Sequence, residues 1–436
     1  MHNCKQAINN KNTNLKKISK RACFQLFILL AFTAPANALD RKLTAPNGSA
    51  DDWFGVSVAL DDNTALIGSW LDDDNGTNSG SAYLFDTTTG SLLHKFTAPD
   101  GSAFDKFGWS VALNDNIALI GAHDDDNTGV NDGSAYLFDT TTGSLLHKFT
   151  APDASAFDFF GYSVALGDNT ALIGSYLDDD NGTNSGSAYL FDTTTGNLLQ
   201  KFTAPDGSAS DQFGISVALM GDTALIGSHY DGDNGPLSGS AYLFDTTTGS
   251  LLHKFTAPDG SANDRFGRSV ALSNNAALIG SFWDDDNGTD SGSAYLFDTT
   301  TGNLLQKFTA PDGSAEDSFG WSVALSDNTA LIGSHQDDDS GQSSGSAYLF
   351  DTTTGSLLQK FTAPDGSAND TFGFSVALSD NTALIGSHRD DDKGESSGSA
   401  YLFATNAKST PEPSSLLGIV GTFAIAALSR KKQQKK

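Results

Sequence analysis

The sequence predicts an all-β fold, a seven-bladed β-propeller of four-stranded antiparallel blades in which an N-terminal strand closes the last blade. Three observations predict it: the dipeptide Phe-Gly recurs at a constant interval of 53 residues, each copy contains four short strand patterns, and the strand missing from the last copy precedes the first. The seven copies begin at Phe54, Phe107, Phe160, Phe213, Phe266, Phe319 and Phe372.

Each copy contains four segments with the composition of β-strands. In the first copy they are Val56–Leu60, Ala65–Gly68, Ser81–Phe85 and Leu92–Thr97. The segments are short, rich in β-branched and aromatic residues, and separated by Gly, Asn, Asp and Thr turns, which are the signals of antiparallel strands. No segment of the repeat region shows a helical period of 3.6 residues. Four such strands, repeated seven times, are the composition of a propeller.

The two ends of the repeat array predict a closed ring. The last copy stops after its third strand, at Tyr401–Ala404, and no fourth strand follows. The missing pattern is Lys42–Pro46, which lies 53 residues before the equivalent Lys95–Pro99. We therefore expect the N-terminal segment to supply the outer strand of the seventh blade. A ring lets every sheet bury both faces and leaves only short edges.

The repeated motif resembles the FG-GAP repeat of integrin α-chain propellers and of many bacterial surface proteins. Phe-Gly is followed by an apolar strand and then by Gly-Ser-x or Gly-Ala-x, as in Gly68-Ser69-Trp70, and the resemblance runs from residue 41 to about 405. It implies a seven-bladed propeller with a ligand-binding, often adhesive, role. One departure is the connection Asp61–Thr64, which is too short for the calcium loop of integrin-type repeats, so that calcium site does not transfer.

The first 38 residues are predicted to be a signal peptide. A basic stretch ends at Lys20-Arg21, an apolar run covers residues 22–32, and the small residues Ala36 and Ala38 lie where a signal peptidase requires them. Cleavage is expected before Leu39. The protein is therefore expected to be exported, with the propeller in residues 39–407.

The C-terminal part contains a second targeting pattern. A linker at 408–413 carries Pro411, Glu412 and Pro413, and residues 414–436 hold an apolar run followed by a basic tail. We expect a short C-terminal transmembrane helix with the basic cluster on the cytoplasmic side. The order of parts resembles the PEP-CTERM sorting signal of Gram-negative bacteria, which implies an exosortase-type processing enzyme and a cell-surface or extracellular protein that is transiently membrane-anchored. The alternative is a plain single-pass tail anchor.

The charge of the repeat region excludes some partners. Between Leu39 and Thr410 there are 14 Lys and Arg against 52 Asp and Glu. Such a surface repels nucleic acid and anionic lipid, so we expect no nucleic-acid partner and membrane contact only through the N-terminal signal and the C-terminal helix. Only Cys4 and Cys23 are present, which excludes disulfides, cysteine-ligated zinc and a cysteine nucleophile from the body of the protein.

Long loops are expected on one face of the propeller, and the residues that vary between copies cluster there. Rigidly held aromatic, Arg and His side chains are suited to binding a sugar or a protein. The alternative is that they pack between blades near the channel. The candidate ligand-binding residues are Trp70, Trp109, His123, Tyr162, Tyr176, His229, Tyr230, Arg268, Phe282, Trp283, Trp321, His335, Phe374, His388 and Arg389.

The same face carries Asp-rich loops, for which calcium is the candidate ion; no other cofactor is predicted. Calcium takes six to eight oxygen ligands. The alternative is a solvated turn that protects the sheet edge. The candidate metal residues are Asp72, Asp73, Asp74, Asp178, Asp179, Asp180, Asp284, Asp285 and Asp286.

These features favour a cell-surface or extracellular-matrix adhesion module that recognises an extracellular polysaccharide or protein ligand through its long-loop face. No catalytic motif is found, so the chain is predicted not to be an enzyme. Two alternatives stay open. One is a structural matrix protein without a discrete ligand, and the other is a glycan-active enzyme that uses an acid pair from neighbouring blades.

Overall fold

A computed structural model describes residues 40–405, apart from residues 62, 327 and 380. It contains seven separate four-stranded antiparallel sheets, which confirms the predicted all-β, seven-bladed propeller. The expected signal peptide, Pro-Glu-Pro linker and C-terminal helix lie outside the described residues. Within 40–405, no helix is long and apolar enough to cross a membrane.

The strands follow one another from the inside of each blade to its outside. Blade 1 consists of β2 (Phe54–Asp61), β3 (Thr64–Ser69), β4 (Ser81–Asp86) and β5 (Leu92–Phe96). Blade 2 consists of β6 (Ser110–Asn114), β7 (Ile117–Ala122), β8 (Ser134–Asp139) and β9 (Leu145–Phe149). Blade 3 consists of β10 (Phe160–Leu166), β11 (Thr170–Ser175), β12 (Ser187–Asp192) and β13 (Leu198–Phe202). Blade 4 consists of β14 (Val217–Met220), β15 (Thr223–Ser228), β16 (Ser240–Asp245) and β17 (Leu251–Phe255).

The last three blades repeat this order, and the seventh takes its outer strand from the other end of the chain. Blade 5 consists of β18 (Val270–Leu272), β19 (Ala276–Ser281), β20 (Ser293–Asp298) and β21 (Leu304–Phe308). Blade 6 consists of β22 (Phe319–Leu325), β23 (Thr329–Ser334), β24 (Ser346–Asp351) and β25 (Leu357–Phe361). Blade 7 consists of β26 (Ser375–Ser379), β27 (Thr382–Ser387), β28 (Ser399–Ala404) and β1 (Arg41–Leu43).

The ring is closed as the sequence predicts. Strand β1 pairs antiparallel with β28, with Arg41 opposite Leu402, Lys42 opposite Tyr401, and Leu43 opposite Ala400. Because β1 comes from the N-terminal side of the first blade, the seventh sheet joins the two ends of the repeat region.

The hydrophobic core lies between neighbouring blades. One buried cluster joins Leu66 and Leu84 of blade 1 to Phe107 and Ile120 of blade 2, and an equivalent cluster fills each of the other interfaces. The Phe of Phe-Gly is fully buried in every blade. Burying one such side chain contributes about 1.5–3 kcal/mol, so adjacent sheets hold each other in place.

The two glycines that define the repeat allow the blades to approach closely. A Cβ on Gly68 would lie 1.9 Å from the carbonyl oxygen of Gly108 in the next blade. The same contact closes the ring, since a Cβ on Gly386 would lie 2.0 Å from the carbonyl oxygen of Gly55. Gly55 also has a φ of +93°, which side chains with a Cβ rarely adopt. The repeat motif is therefore first a packing requirement between blades.

Candidate binding site at the channel mouth

The variable residues of each blade meet at the mouth of the central channel. They occupy the start of the innermost strand and the end of the next one, so the ring brings seven such sets together. We call this set the collar. It consists, blade by blade, of Trp53, Val56, Trp70, Leu71; Lys106, Trp109, His123, Asp124; Phe159, Tyr162, Tyr176, Leu177; Gln212, Ile215, His229, Tyr230; Arg265, Arg268, Phe282, Trp283; Ser318, Trp321, His335, Gln336; and Thr371, Phe374, His388, Arg389.

A cavity of about 230 Å³ opens at the collar. Its walls below the collar are the Ser-Val pairs of the innermost strands. The opening is surrounded by seven residues, one from each blade, each of which directly follows Phe-Gly. These residues are Val56, Trp109, Tyr162, Ile215, Arg268, Trp321 and Phe374.

Aromatic rings contact one another along the collar from blade 1 to blade 3. Trp53 lies 5.4 Å from Trp70, and Trp70 lies 5.0 Å from Trp109, measured between ring centroids. Trp109 then contacts Tyr162 at 5.2 Å, and Tyr162 contacts Tyr176 at 4.4 Å. These distances are those of favourable edge-to-face and tilted aromatic pairs, so the rings hold one another in fixed orientations.

A second arc of rings runs from blade 5 to blade 7 and joins the first. Phe282 lies 4.9 Å from Trp321, which lies 5.4 Å from Phe374. Phe374 contacts His388 at 4.1 Å, and His388 contacts Trp53 of blade 1 at 4.8 Å. Aromatic side chains thus follow most of the circumference. The interruption lies in blade 4, where the residue after Phe-Gly is the aliphatic Ile215.

Cationic side chains lie over the rings of the collar. The guanidinium of Arg268 lies 4.4 Å from the ring centroid of Trp321, and that of Arg389 lies 5.3 Å from the ring of Trp53. Such cation–π contacts position a charged group without neutralising it. The collar therefore brings aromatic side chains and positive charge together at the same opening.

The Asp-rich loops make a different arrangement. In blade 1 the buried carboxylate of Asp72 accepts hydrogen bonds from the Tyr83 hydroxyl at 2.5 Å and from the Lys95 ammonium at 3.1 Å. Lys95 also pairs with Asp74. We call the Tyr, Lys and first-Asp group a clasp. All seven blades have one, with a Tyr-to-Asp distance of 2.5 to 2.7 Å.

The candidate metal residues of blades 3 and 5 belong to the same arrangement. Asp178 and Asp180 contact Lys201, and their equivalents Asp284 and Asp286 contact Lys307. The second aspartate of each loop instead accepts a hydrogen bond from a backbone N–H group of the same loop. These aspartates are Asp73, Asp179 and Asp285.

One group of three carboxylates among the described residues is close enough to hold a cation. It consists of Asp365, Asp390 and Asp392, and the ammonium of Lys42 contacts all three. A calcium ion at these loops would have to displace a lysine ammonium, and calcium binding stays a prediction.

Comparison with known proteins identifies the repeat. A family model described as "FG-GAP repeat" matches seven times, over residues 39–85, 91–138, 144–191, 197–244, 250–297, 303–350 and 356–403. The chain belongs to the FG-GAP repeat family. Among solved structures, this FG-GAP protein is similar to the computationally designed Ika8 protein, with 16% identity over 84% of this chain and 99% of that chain and a TM-score of 0.48. No curated protein sequence matches it.

The four histidines of the FG-GAP collar are buried and neutral. Burial lowers the pKa of His123, His229 and His388 well below the usual value, and that of His335 to about 3. His335 packs on Trp321 with ring centroids 4.6 Å apart. The structure thus places the histidines where they support the aromatic rings of the collar, while Trp109, Tyr162, Arg268, Trp321 and Phe374 line the opening.

Sequence reasoning missed one ring of this FG-GAP site, the residue that precedes Phe-Gly. Trp53, Lys106, Phe159 and Arg265 occupy it in four blades. The backbone there has a positive φ in every blade, for example 54° at Trp53 and 62° at Arg265. Such a conformation is strained for large side chains, and strain of this kind clusters at functional sites. The sequence did contain a signal for this position, since the residue there differs between copies, as the residues at the other three collar positions do.

The FG-GAP propeller is compatible with a ligand-binding or adhesion module. Its repeated framework fixes the blades, and its variation is concentrated at the collar.

Proposed function

We propose that the protein is an exported, non-enzymatic binding module that recognises an extracellular polysaccharide through the collar. The observation that carries this proposal is the run of aromatic side chains around an open channel mouth. Flat apolar rings pack on the C–H faces of sugars, and rings already held by their neighbours lose little conformational entropy on binding. The cavity of about 230 Å³ is large enough for a single sugar unit or a chain end.

The acid content of the collar favours binding over glycoside hydrolysis. Hydrolysis of a glycosidic bond requires two carboxyl groups about 5–10 Å apart. Asp124 is the only acidic residue of the collar, and its carboxylate is paired with Lys106 at 2.7 Å. A sugar held at this opening would therefore meet rings and cations but no carboxylate pair.

Export and surface location belong to the proposal. Cleavage after Ala38 would release the propeller outside the cytoplasm, and processing at the Pro411–Pro413 signal by an exosortase-type enzyme would release it or anchor it at the cell surface. A rigid disc with a binding site on one face suits attachment of a cell or a matrix to a polysaccharide.

The test is binding of the purified protein to a glycan array and to immobilised matrix proteins. Replacing Trp109→Ala and Trp321→Ala together should abolish glycan binding, since both rings line the opening. Phe104→Ala is the matched control because this aromatic residue is 56% exposed and lies outside the collar. Unchanged glycan binding by the double variant would contradict the proposal, and binding to proteins alone would identify a protein ligand. Melting curves establish that each variant is folded.

One observation favours a second candidate, a structural matrix protein that assembles laterally. The outer strands of six blades carry a pair of exposed leucines, for example Leu92 and Leu93 at 38% and 45% exposure. A belt of apolar residues on free sheet edges favours contacts between discs. Sedimentation of the wild type and of Leu93→Glu over a range of concentrations tests it, and a strictly monomeric wild type would contradict it.

A further inference from the structure

The basic side chains of the described residues fall into three groups. Most are occupied by partners of the framework: one lysine per blade lies in a clasp, and Arg41 donates to the carbonyl oxygens of Thr88 and Thr89. Lys393 is exposed on an Asp-rich loop. All the others, namely Lys106, Arg265, Arg268 and Arg389, belong to the collar. Apart from Lys393, a propeller that is strongly acidic overall thus places its remaining positive charge at one opening.

Three of these collar cations have no carboxylate partner among the residues that the structure describes. Lys106 pairs with Asp124, whereas Arg265, Arg268 and Arg389 make no ion pair there. Arg268 lines the cavity, and Arg389 is exposed at its rim. Burial lowers the pKa of His335, and the positive charges of both arginines lower it further.

Arg265 is an independent sign of a missing acceptor. Its side chain is largely buried, and the residue as a whole is 8% exposed. Its Nε and Nη1 donors have no hydrogen-bond acceptor among the described residues. Buried donors of a charged group are costly to leave unpaired, by about 1–3 kcal/mol or more. The guanidinium lies 4.1 Å from the ring of Tyr230 and 4.8 Å from the ring of Trp283, and its hydrogen bond with Tyr230 leaves these two nitrogens without an acceptor.

The chemistry of these groups selects the ligand. Arginine presents a planar fork of N–H donors that matches carboxylate and sulfate oxygens, and it does so most strongly where the site is partly shielded from water. The aromatic rings beside it suit the apolar face of a sugar. The acidic remainder of the propeller would repel a polyanion elsewhere, so the field favours the collar as the place of contact.

We propose that the collar binds an anionic sugar residue of an acidic polysaccharide, with Arg268 pairing its acid group, Arg389 adding positive charge at the rim, and the rings of Trp321 and Phe374 at the opening contacting the sugar. This inference rests on the proposed function and deepens it by naming the ligand class. A carboxylate or a sulfate ester would supply the same charge and oxygen geometry, and the experiment separates the two.

The test uses isothermal titration of the whole protein with polygalacturonate oligomers, their methyl esters, dextran sulfate and neutral dextran. We expect the wild type to bind the acid at least ~10-fold more tightly than its methyl ester, since esterification removes one charge-assisted pair per residue. Arg268→Gln should remove that preference, Arg389→Gln should reduce it, and Lys393→Gln, a matched change on the same face but outside the collar, should leave it unchanged. Raising the salt concentration should weaken binding of the acid but not of the ester.

Each result of these titrations either supports or overturns the inference. Preference for dextran sulfate that is lost in Arg268→Gln supports the inference with sulfate as the acid group. Equal affinity for charged and neutral polymers, or a preference that Arg268→Gln leaves intact, overturns the inference while the proposed function stands. No binding to any polymer here or on the glycan array overturns both. Arg268→Lys, which keeps the charge but not the fork, should give intermediate affinity and covers the case in which Arg268→Gln does not fold.

Discussion

Loss of the Lys42 ammonium should let the closing strand open locally, whereas loss of the equivalent lysine in an internal blade should not open that blade on its own. Strand β1 has three residues, and its lysine pairs with Asp390 and Asp392 of blade 7 and with Asp365 of the connection that follows blade 6. The perturbation is Lys42→Met, which keeps the length of the side chain and removes its charge. The matched control is Lys201→Met, because Lys201 makes the equivalent contacts in blade 3.

The expected loss of stability follows from how deeply the ion pairs of Lys42 are buried. The Asp390 side chain is 5% exposed and the Lys42 side chain 20%, whereas Asp365 is 53% exposed. Removing one partner of a buried pair costs about 3–5 kcal/mol because a charge stays buried and unpaired, while exposed pairs contribute about 0–1 kcal/mol. Between these limits we expect a loss of about 2–3 kcal/mol, or roughly a 30- to 150-fold change in an opening constant.

The two variants should lose similar stability but open differently. Strand β13 is joined to the ring at both of its ends, whereas β1 is joined to a blade only at its C-terminal end. In Lys42→Met we therefore expect native-state hydrogen exchange at the β28 amides to accelerate about 30-fold or more without global unfolding. In Lys201→Met, exchange in blade 3 should follow global unfolding. If β28 exchanges equally slowly in both variants, the clasp at Lys42 does not control closure, and the reasoning is wrong.

Two further predictions concern pH and one concerns packing. Burial raises the pKa of Asp105 to about 6, so its ionised form opposes folding at neutral pH. Asp105→Asn should raise the free energy of unfolding by about 1 kcal/mol at pH 7.5 and have little effect at pH 3, where the acid is largely protonated in both states. His335 should act in the opposite direction, because its pKa of about 3 lies below that of the unfolded chain. The free energy of unfolding should therefore decrease as the pH falls from about 6.5 towards 3. Urea titrations of His335→Phe should show a smaller decrease over the same range. Leu43 stands where six blades have Phe, so Leu43→Phe should add a ring contact to Phe85 and raise the free energy of unfolding by up to about 1 kcal/mol, whereas a lower melting temperature would show that the space is too small.

The framework could be predicted from the sequence because it is local and repeated. Strand patterns such as Ser81–Phe85 alternate and end at Gly or Asp, and a constant interval of 53 residues leaves one way to stack them. The closing strand was predictable too, because Lys42–Pro46 matches a segment whose place in the blade is known. The innermost strand of blade 1, β2, begins at Phe54, two residues before the predicted start. The pairing with β3 continues to Phe54 across a bulge between Phe54 and Val58.

The clasps could not be predicted, because their members are far apart in sequence and identical in every copy. The hydroxyl of Tyr136 lies within hydrogen-bond distance of two carboxylates. One is Asp125 of its own blade, and the other is Asp100 of the connection from the preceding blade. Nothing in the repeat distinguishes an acidic loop that binds an ion from one that binds a lysine. The difference depends on Lys148, whose ammonium reaches the same two carboxylates from the outer strand.

The contrast between clasp and collar also explains why only the collar offers a basis for specificity. A group that is the same in seven blades presents seven equivalent sites, and an ion or ligand that fitted one would fit all of them. The collar instead has seven different sectors around one axis, with Trp109 on one side, Ile215 interrupting the rings, and Arg268 and Arg389 on the other side. A ligand bound at the mouth therefore meets an asymmetric site on a nearly symmetric body. For that reason a substitution such as Arg268→Gln should alter which ligand is bound, whereas Lys201→Met should alter only how stably the site is held.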